Sequence, residues 1–338
     1  MDSLVIYSID DLISIINKII YLILFTNMSS NEYKKIKLIS TNHFSKIYQV
    51  LKLGTQEIYA LEVIEKNNNF KTFKIKEDIN ILKDVNHPNI SRFIDFQEDL
   101  NFFYIITDYC NGGNLEQHLK TNQIDHLNEE EVQYIMKQVI DIVKYLHNKK
   151  IIHRDLTIAN LLLNYESEKD LNEKNLLKAK IKIRDFGLSS YLSKGDFLYD
   201  QVGPVKYVAP ELFRRQKYDE KVDIWSLGVI CSKLLIGDFP YNSQILRDQV
   251  SDDSVFYYLP ETLSKEAISF INCMFQYNPN LRKSADNLAK HEFLTKNVKD
   301  FSKIKIDDIK EHIEDNKIKI NINDNQWVLE YFGKGIDK

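Results

Sequence analysis

Ile151–Leu163 reads IIHRDLTIANLLL: a His153-Arg154-Asp155 triplet between two apolar runs, with Asn160 five residues after Asp155. Short apolar runs bounded by polar residues read as buried strands. The polar stretch reads as one loop. An Asp and an Asn at that spacing on one loop aim at the same place. Asp155 accepts a hydrogen bond from an incoming hydroxyl, and Asn160 offers an oxygen ligand to a magnesium ion. Further on, IKIRDFGLS carries Asp185-Phe186-Gly187 after another apolar strand. A carboxylate oxygen is a hard donor suited to the same ion. Ala209-Pro210-Glu211, the run Asp223-Ile-Trp-Ser-Leu-Gly228, and Arg282 follow in that order.

Working outward, Tyr33 to about Phe73 alternates as strands do, with KIYQVLKL and EIYALEVI split by the hairpin signal Gly54-Thr55. A helix is expected over Phe73–Val85, stopped by His87-Pro88-Asn89. Ile90–Phe96 and Phe102–Asp108 read as short strands. Three-to-four-residue apolar spacing then predicts helices over Leu115–Thr121, Glu129–Lys149, Asp219–Leu235, Lys265–Phe275 and Ala285–Lys290. Strands first and helices after argue for an α+β fold in two lobes. Asn164–Lys180 is charged and reads as a solvated surface insertion. The tail after about Thr295 shows one helical stretch near Asp307–Asp315 and a final QWVLEYF.

HRD with its later Asn, DFG, APE and DxWSLG, in this order, resemble the signature set of eukaryotic protein kinases. The resemblance covers about Tyr33 to Leu294. It implies a bilobal fold with a small antiparallel-sheet N-lobe (33–107) carrying one main helix, a larger helical C-lobe (111–295), and an ATP site to which both lobes contribute. By that resemblance Asp155 is the catalytic base, Asn160 and Asp185 hold Mg2+, and Glu211 pairs with Arg282. Ile39, Ile47, Ala60 and Leu162 would sandwich the adenine, Thr107 would be the gatekeeper, and the backbone of Asp108 and Cys110 would meet the purine edge. A hydrophobic spine maps to Leu82, Phe93, His153 and Phe186, anchored by Asp223. The HRDLT and GPVKY contexts look like serine/threonine rather than tyrosine kinases, and HRDLT is familiar from polo-like kinases.

Several positions depart from the family pattern. Ser40-Thr-Asn42-His-Phe-Ser45 replaces the glycine-rich loop, whose bare N–H groups approach the phosphates closely. Glu62 stands where the family has its phosphate-binding lysine, and the helix partner of that lysine maps to Asp78. Two carboxylates repel each other and a triphosphate. Lys46 is a poor replacement, because strand alternation turns it away from the face of Ile47. Arg184 is the better candidate, pairing with Glu62, Asp78 or both. Thr157 and Pro204 replace two residues that brace the catalytic aspartate. The activation segment, Asp185–Glu211, offers Ser189, Ser190, Tyr191, Ser193 and Tyr199 for modification, and Asp196 or Asp200 would stand in for a phosphate in the grip of Arg154.

Two functional readings follow. One is a pseudokinase-like domain that binds ATP and Mg2+ with phosphotransfer weak or lost; the other is an active serine/threonine kinase using Arg184. The partner is a protein substrate or signalling protein. The chain has 338 residues, a net charge of −4 and 28% charged residues, which gives no electrostatic reason to expect nucleic acid or an anionic membrane. Cys110, Cys231 and Cys273 lie far apart without ligand spacing, pointing to a reducing cytoplasmic or nuclear setting and to neither disulfides nor zinc. A monomer is expected. The extension 1–32 contains the apolar Leu12–Phe25, interrupted by Lys18 and shorter than the roughly 20 residues a span needs. Its readings are upstream sequence before a start at Met28, or a docking or membrane-surface helix. Residues 296–338 form a tail after the kinase domain at 33–295.

Overall fold

The period-two alternation of the first third becomes one antiparallel sheet. Its strands are β1 (Tyr33–Thr41), β2 (Ser45–Lys52), β3 (Ile58–Glu65), β4 (Phe93–Glu98) and β5 (Phe102–Asp108), in the order β1-β2-β3-β5-β4. The computed structural model describes residues 32–41, 45–66, 69–193, 195–241, 259–260, 262–296, 319–323 and 326–330. These residues group into two units. One holds the chain up to Phe73 together with Phe93–Tyr109; the other holds Lys74–Arg92 and the chain from Cys110 onward.

In the first unit register decides the faces, because directly opposed residues share a side of the sheet. Tyr48 opposes Leu61, which opposes Ile106; Val50 opposes Tyr59. That face buries Val50, Tyr59, Leu61, Val63, Tyr104 and Ile106 as the unit's core. The Gly54-Thr55 turn closes as expected, Gln56 N donating to Lys52 O and Lys52 N to Glu57 O, both at 2.9 Å.

The second unit is built around α-helices. The helix α1 (Asn69–Asp84) enters it; α2 (Leu115–Thr121), α3 (Glu129–Asn148), α4 (Glu168–Glu173), α5 (Pro210–Phe213), α6 (Lys221–Ile236), α7 (Lys265–Asn272), α8 (Ala285–Leu288) and α9 (Glu292–Thr295) lie within it. A reciprocal capping box between Asn128 and Glu131 starts α3. Its apolar stripe Val132, Ile135, Met136, Val139, Ile142, Val143 and Leu146 faces the core. Helix α6 is buried from Val222 to Leu235 apart from the half-buried Lys233. It stops at Gly237, where φ is +82° and a Cβ would lie 2.6 Å from Asp125 O.

Two small two-stranded sheets frame the polar motifs. β6 (Ile151–Ile152) pairs with β9 (Ser190–Tyr191), and β7 (Leu161–Asn164) pairs with β8 (Lys180–Ile183). The loop 153–160 and the turn 184–189 are thus clamped at both ends against each other.

Some expectations need correction. Ile90 is not part of β4: its backbone bridges Ile183 of β8, so the strand begins only at Phe93. The main helix starts at Asn69 rather than Phe73, and α7 ends at Asn272 rather than Phe275. Asn164–Lys180 is not a purely solvated insertion. It holds α4 and a 3-10 turn, Leu176–Lys178, and buries Tyr165, Leu176 and Ala179 in the main core. In the tail, Lys319–Asn323 pairs antiparallel with Gln326–Glu330, β10 and β11. Leu12–Phe25 and Asp307–Asp315 lie outside the described residues. Among the described residues no helix is long and apolar enough to cross a membrane.

Candidate functional site

Strand pairing brings the two motifs together. Leu161 opposes Ile183, so the residues just beyond, Asn160 and Arg184, become neighbours, and Arg184 N donates to Asn160 O at 3.1 Å. Asn160 is buried, and its Nδ2 donates to both Asp155 O and Asp155 Oδ2 at 2.9 Å. With the amide nitrogen committed to Asp155, Oδ1 of Asn160 is the atom left to face a cation. Asp185 is exposed, and its Oδ1 accepts from Gly187 N at 3.2 Å. Asp78 of α1 is buried beside this turn, Oδ2 being 3.9 Å from where a Gly187 Cβ would stand. An amide oxygen and a carboxylate are hard donors that fit Mg2+.

Burial, and then the charge of Asp185, push the Asp155 carboxyl up to about 7, against the opposing pull of the Asn160 hydrogen bond and the Arg184 charge. Two non-glycine residues here adopt left-handed backbone, Arg154 at φ 64° and Asp185 at φ 67°. Such conformations persist where surrounding contacts impose them, and they cluster at functional sites.

Those contacts are plain for Arg154. Asp223, fully buried, accepts from His153 N at 2.9 Å, Arg154 N at 2.8 Å and His147 Nε2 at 2.9 Å. The Arg154 guanidinium donates from Nε to Leu188 O at 2.5 Å and from one terminal nitrogen to both Asp200 oxygens at 2.8 Å and to Tyr218 Oη at 2.9 Å. Of the two candidate acids, Asp200 is the one it holds. Phe186 packs on His153 with ring centroids 5.0 Å apart, and Leu82 packs against the same core. Glu211 and Arg282 form a buried bidentate pair at 2.6 and 2.8 Å.

In the sheet unit, Ile47 opposes Glu62, which opposes Ile105, and Ala60 opposes Thr107. Ile47, Ala60, Glu62 and Thr107 therefore share the face opposite the unit's core. Lys46 opposes Val63 on the core face, as the alternation argument requires. There it helps burial to lower the pKa of Lys35 to about 8. Ile39 falls in a bulge of β1 between Leu38 and Ser40 and is 37% exposed. Asp108 closes β5, Cys110 is buried at the start of the second unit, and Leu162 lies half-buried in β7. Thr157 is buried, its carbonyl accepting from Asn160 N at 3.0 Å.

The family model described as "Protein kinase domain" matches residues 33–294. The chain belongs to the protein kinase family. Serine/threonine-protein kinase polo of Drosophila melanogaster is 32% identical to it over 268 residues, 78% of this chain and 44% of that protein. Serine/threonine-protein kinase atg1 of Dictyostelium discoideum is 30% identical over 278 residues, 80% of this chain and 40% of that protein. Calcium-dependent protein kinase 4 of Plasmodium berghei (strain Anka) is 32% identical over 278 residues, 80% of this chain and 51% of that protein. The chain thus spans about half the length of these relatives or less.

Sequence reasoning missed Tyr218, which lies 64 residues from Arg154, accepts from its guanidinium and donates to Asp200. No local signal marks it. It also missed Lys206 and Lys233, which converge on one ring.

Proposed function

We propose that this chain is a serine/threonine-type kinase domain that takes ATP and Mg2+ through Asn160 and Asp185, with phosphotransfer to protein hydroxyls weak or lost. The observation that carries this is Glu62, on the same sheet face as Ile47, Ala60 and Thr107. A carboxylate there repels a triphosphate, so positioning falls to the metal side, and lost positioning costs orders of magnitude in rate. Mg2+ would supply charge neutralisation at the phosphates. Asp155 is set to take the proton of a hydroxyl, and Asn160 fixes its orientation.

A second reading, an active serine/threonine kinase with a rearranged cation, is favoured by Arg184. Its charge acts on Asp155, and its Nε is buried without a hydrogen-bond partner. In that reading the guanidinium serves the phosphates.

One experiment separates them: thermal shift with ATP and Mg2+, beside radiolabelled autophosphorylation with Asp155→Asn as control. A shift without incorporation is expected. Incorporation at ordinary kinase rates that vanishes in the control overturns the first reading.

A further inference from the structure

One face of a sheet is buried only when a second layer packs on it. In the first unit Val50, Leu61 and Ile106 are 0% exposed, Tyr104 2% and Val63 3%, and register puts all five on the core face. Among the described residues, the partly buried apolar side chains packed against this cluster are Tyr48, Ile94 and Phe102, and all three belong to the sheet itself. The described residues thus supply one layer where the burial requires two.

The chain outside them offers a segment that fits. Leu12–Phe25, LISIINKIIYLILF, has its polar residues at Ser14, Asn17, Lys18 and Tyr21. That spacing gathers them on one stripe of a helix and leaves the remaining surface apolar, the pattern of a helix that is mostly buried. Its 14 residues make about 21 Å of helix, and Lys46 to Lys52 along β2 spans about 20 Å. The tether reaches too. Glu32 O accepts from Leu53 N at 2.8 Å, and Tyr33 follows on the core face opposite Lys52. The 7 residues Thr26–Glu32 stretch to about 24 Å. A helix that starts from this corner and lies along β2 carries Asp10 and Asp11 to the far end. There Lys46 opposes Val63 on the core face, close enough to Lys35 for its charge to add to the burial that lowers the pKa of Lys35.

We propose that Leu12–Phe25 docks as a helix on the core face of the first unit, with Asp10 and Asp11 beside Lys35 and Lys46. The extension then belongs to the fold, and it braces β2 and β3 from behind the face that carries Ile47, Ala60 and Glu62.

The test uses the full chain. Zero-length carbodiimide cross-linking, mapped by mass spectrometry on a mixture of light and 15N-labelled protein, is expected to join Asp10 or Asp11 to Lys35 or Lys46 within one chain. Ile16→Ser with Ile23→Ser, opposite the polar stripe, should lower the melting temperature by roughly 5 °C or more and speed hydrogen exchange at Val50, Leu61 and Ile106 by about ten-fold or more. Asn17→Ser with Lys18→Ser, on the stripe, should leave both unchanged. Cross-linking needs no substitution, so it reads docking even where the isoleucine variant fails to fold. Four results overturn the proposal: equal melting and exchange in the two variants, no link from Asp10 or Asp11 to either lysine, links found between chains alone, which put a second copy on the face, or flotation of the parent with phosphatidylcholine–phosphatidylserine vesicles, which puts the segment in a bilayer.

Discussion

Replacing Asp200 by Asn removes the carboxylate charge that faces Arg154 while keeping the side chain's shape. The Arg154 side chain is 3% exposed and that of Asp200 is 50% exposed. An exposed pair contributes about 0.2–1 kcal/mol, and breaking a fully buried one costs about 3–5 kcal/mol. With one partner buried and the guanidinium still held by Leu188 O and Tyr218, about 1–2 kcal/mol is expected, in the lower part of that span. For a domain of this size each kcal/mol moves the melting temperature by about 2–4 °C, so Asp200→Asn should melt roughly 2–8 °C below the parent. Acidity gives an independent check. Burial pushes the Asp200 carboxyl up, but the Arg154 charge and the hydrogen bonds from Tyr218 and Arg154 outweigh it and hold it below its usual value. Its contribution is therefore complete above the ordinary carboxylate range, near ~3.9, and disappears as pH falls through the folded-state value. Differential scanning calorimetry from neutral to acid pH should show the gap between parent and variant closing. Hydrogen exchange should rise at 198–202, where Leu198 pairs with Tyr218. Equal melting at neutral pH, or a gap that does not narrow on acidification, refutes the claim that Asp200 anchors this segment.

Four further outcomes follow from the same contacts. Arg282→Met should cost about 3–5 kcal/mol by stranding Glu211, and Glu211→Leu combined with it should recover much of that loss in urea denaturation. Leu176→Ala, at a position 3% exposed within the charged 164–180 stretch, should cost about 2–5 kcal/mol; a neutral result would restore the solvated-insertion reading. Gly203→Ala should cost more than the about 1–2 kcal/mol of left-handed strain, because φ is +98° and the new Cβ would stand 2.8 Å from Arg154 O. Glu62→Lys should tighten nucleotide binding and raise radiolabel incorporation; no change in either removes Glu62 from the proposed account of phosphotransfer.

What was legible in the sequence was what strand and helix periodicity dictate. The faces of β2 and β3 follow from alternation alone, which is why Lys46 was set aside and why Ile47 and Glu62 stand opposed. The apolar runs around His153 and before Arg184 announced strands, and their pairing delivered Asn160 to Asp155 and Arg184. Long-range choices were not legible. Ile90 lies in an apolar run that suits β4, yet its backbone goes to Ile183, and nothing local distinguishes the two partners. The charges around Leu176 masked a residue that packs inward. Tyr218 and the lysine pair gather residues from separate elements, where spacing carries no signal.

The two strained residues do not weigh equally as evidence of function. Left-handed backbone at a non-glycine residue costs of order 1–3 kcal/mol and persists when surroundings over-determine it. Arg154 is over-determined: Asp223 takes its N–H at 2.8 Å, and Leu188, Asp200 and Tyr218 hold its guanidinium. Its φ is explained by architecture, with no appeal to a ligand. Asp185 has little of this support, being exposed, with its Oδ1 accepting a 3.2 Å hydrogen bond from Gly187 N. Aspartate tolerates the left-handed region better than most residues, so the cost is modest. Even so, the conformation holds the Asp185 carboxylate close enough to raise the pKa of Asp155, an arrangement that works against stability until a cation offsets the charge. Strain and repulsion maintained together at Asp185 are what the proposed metal binding would relieve.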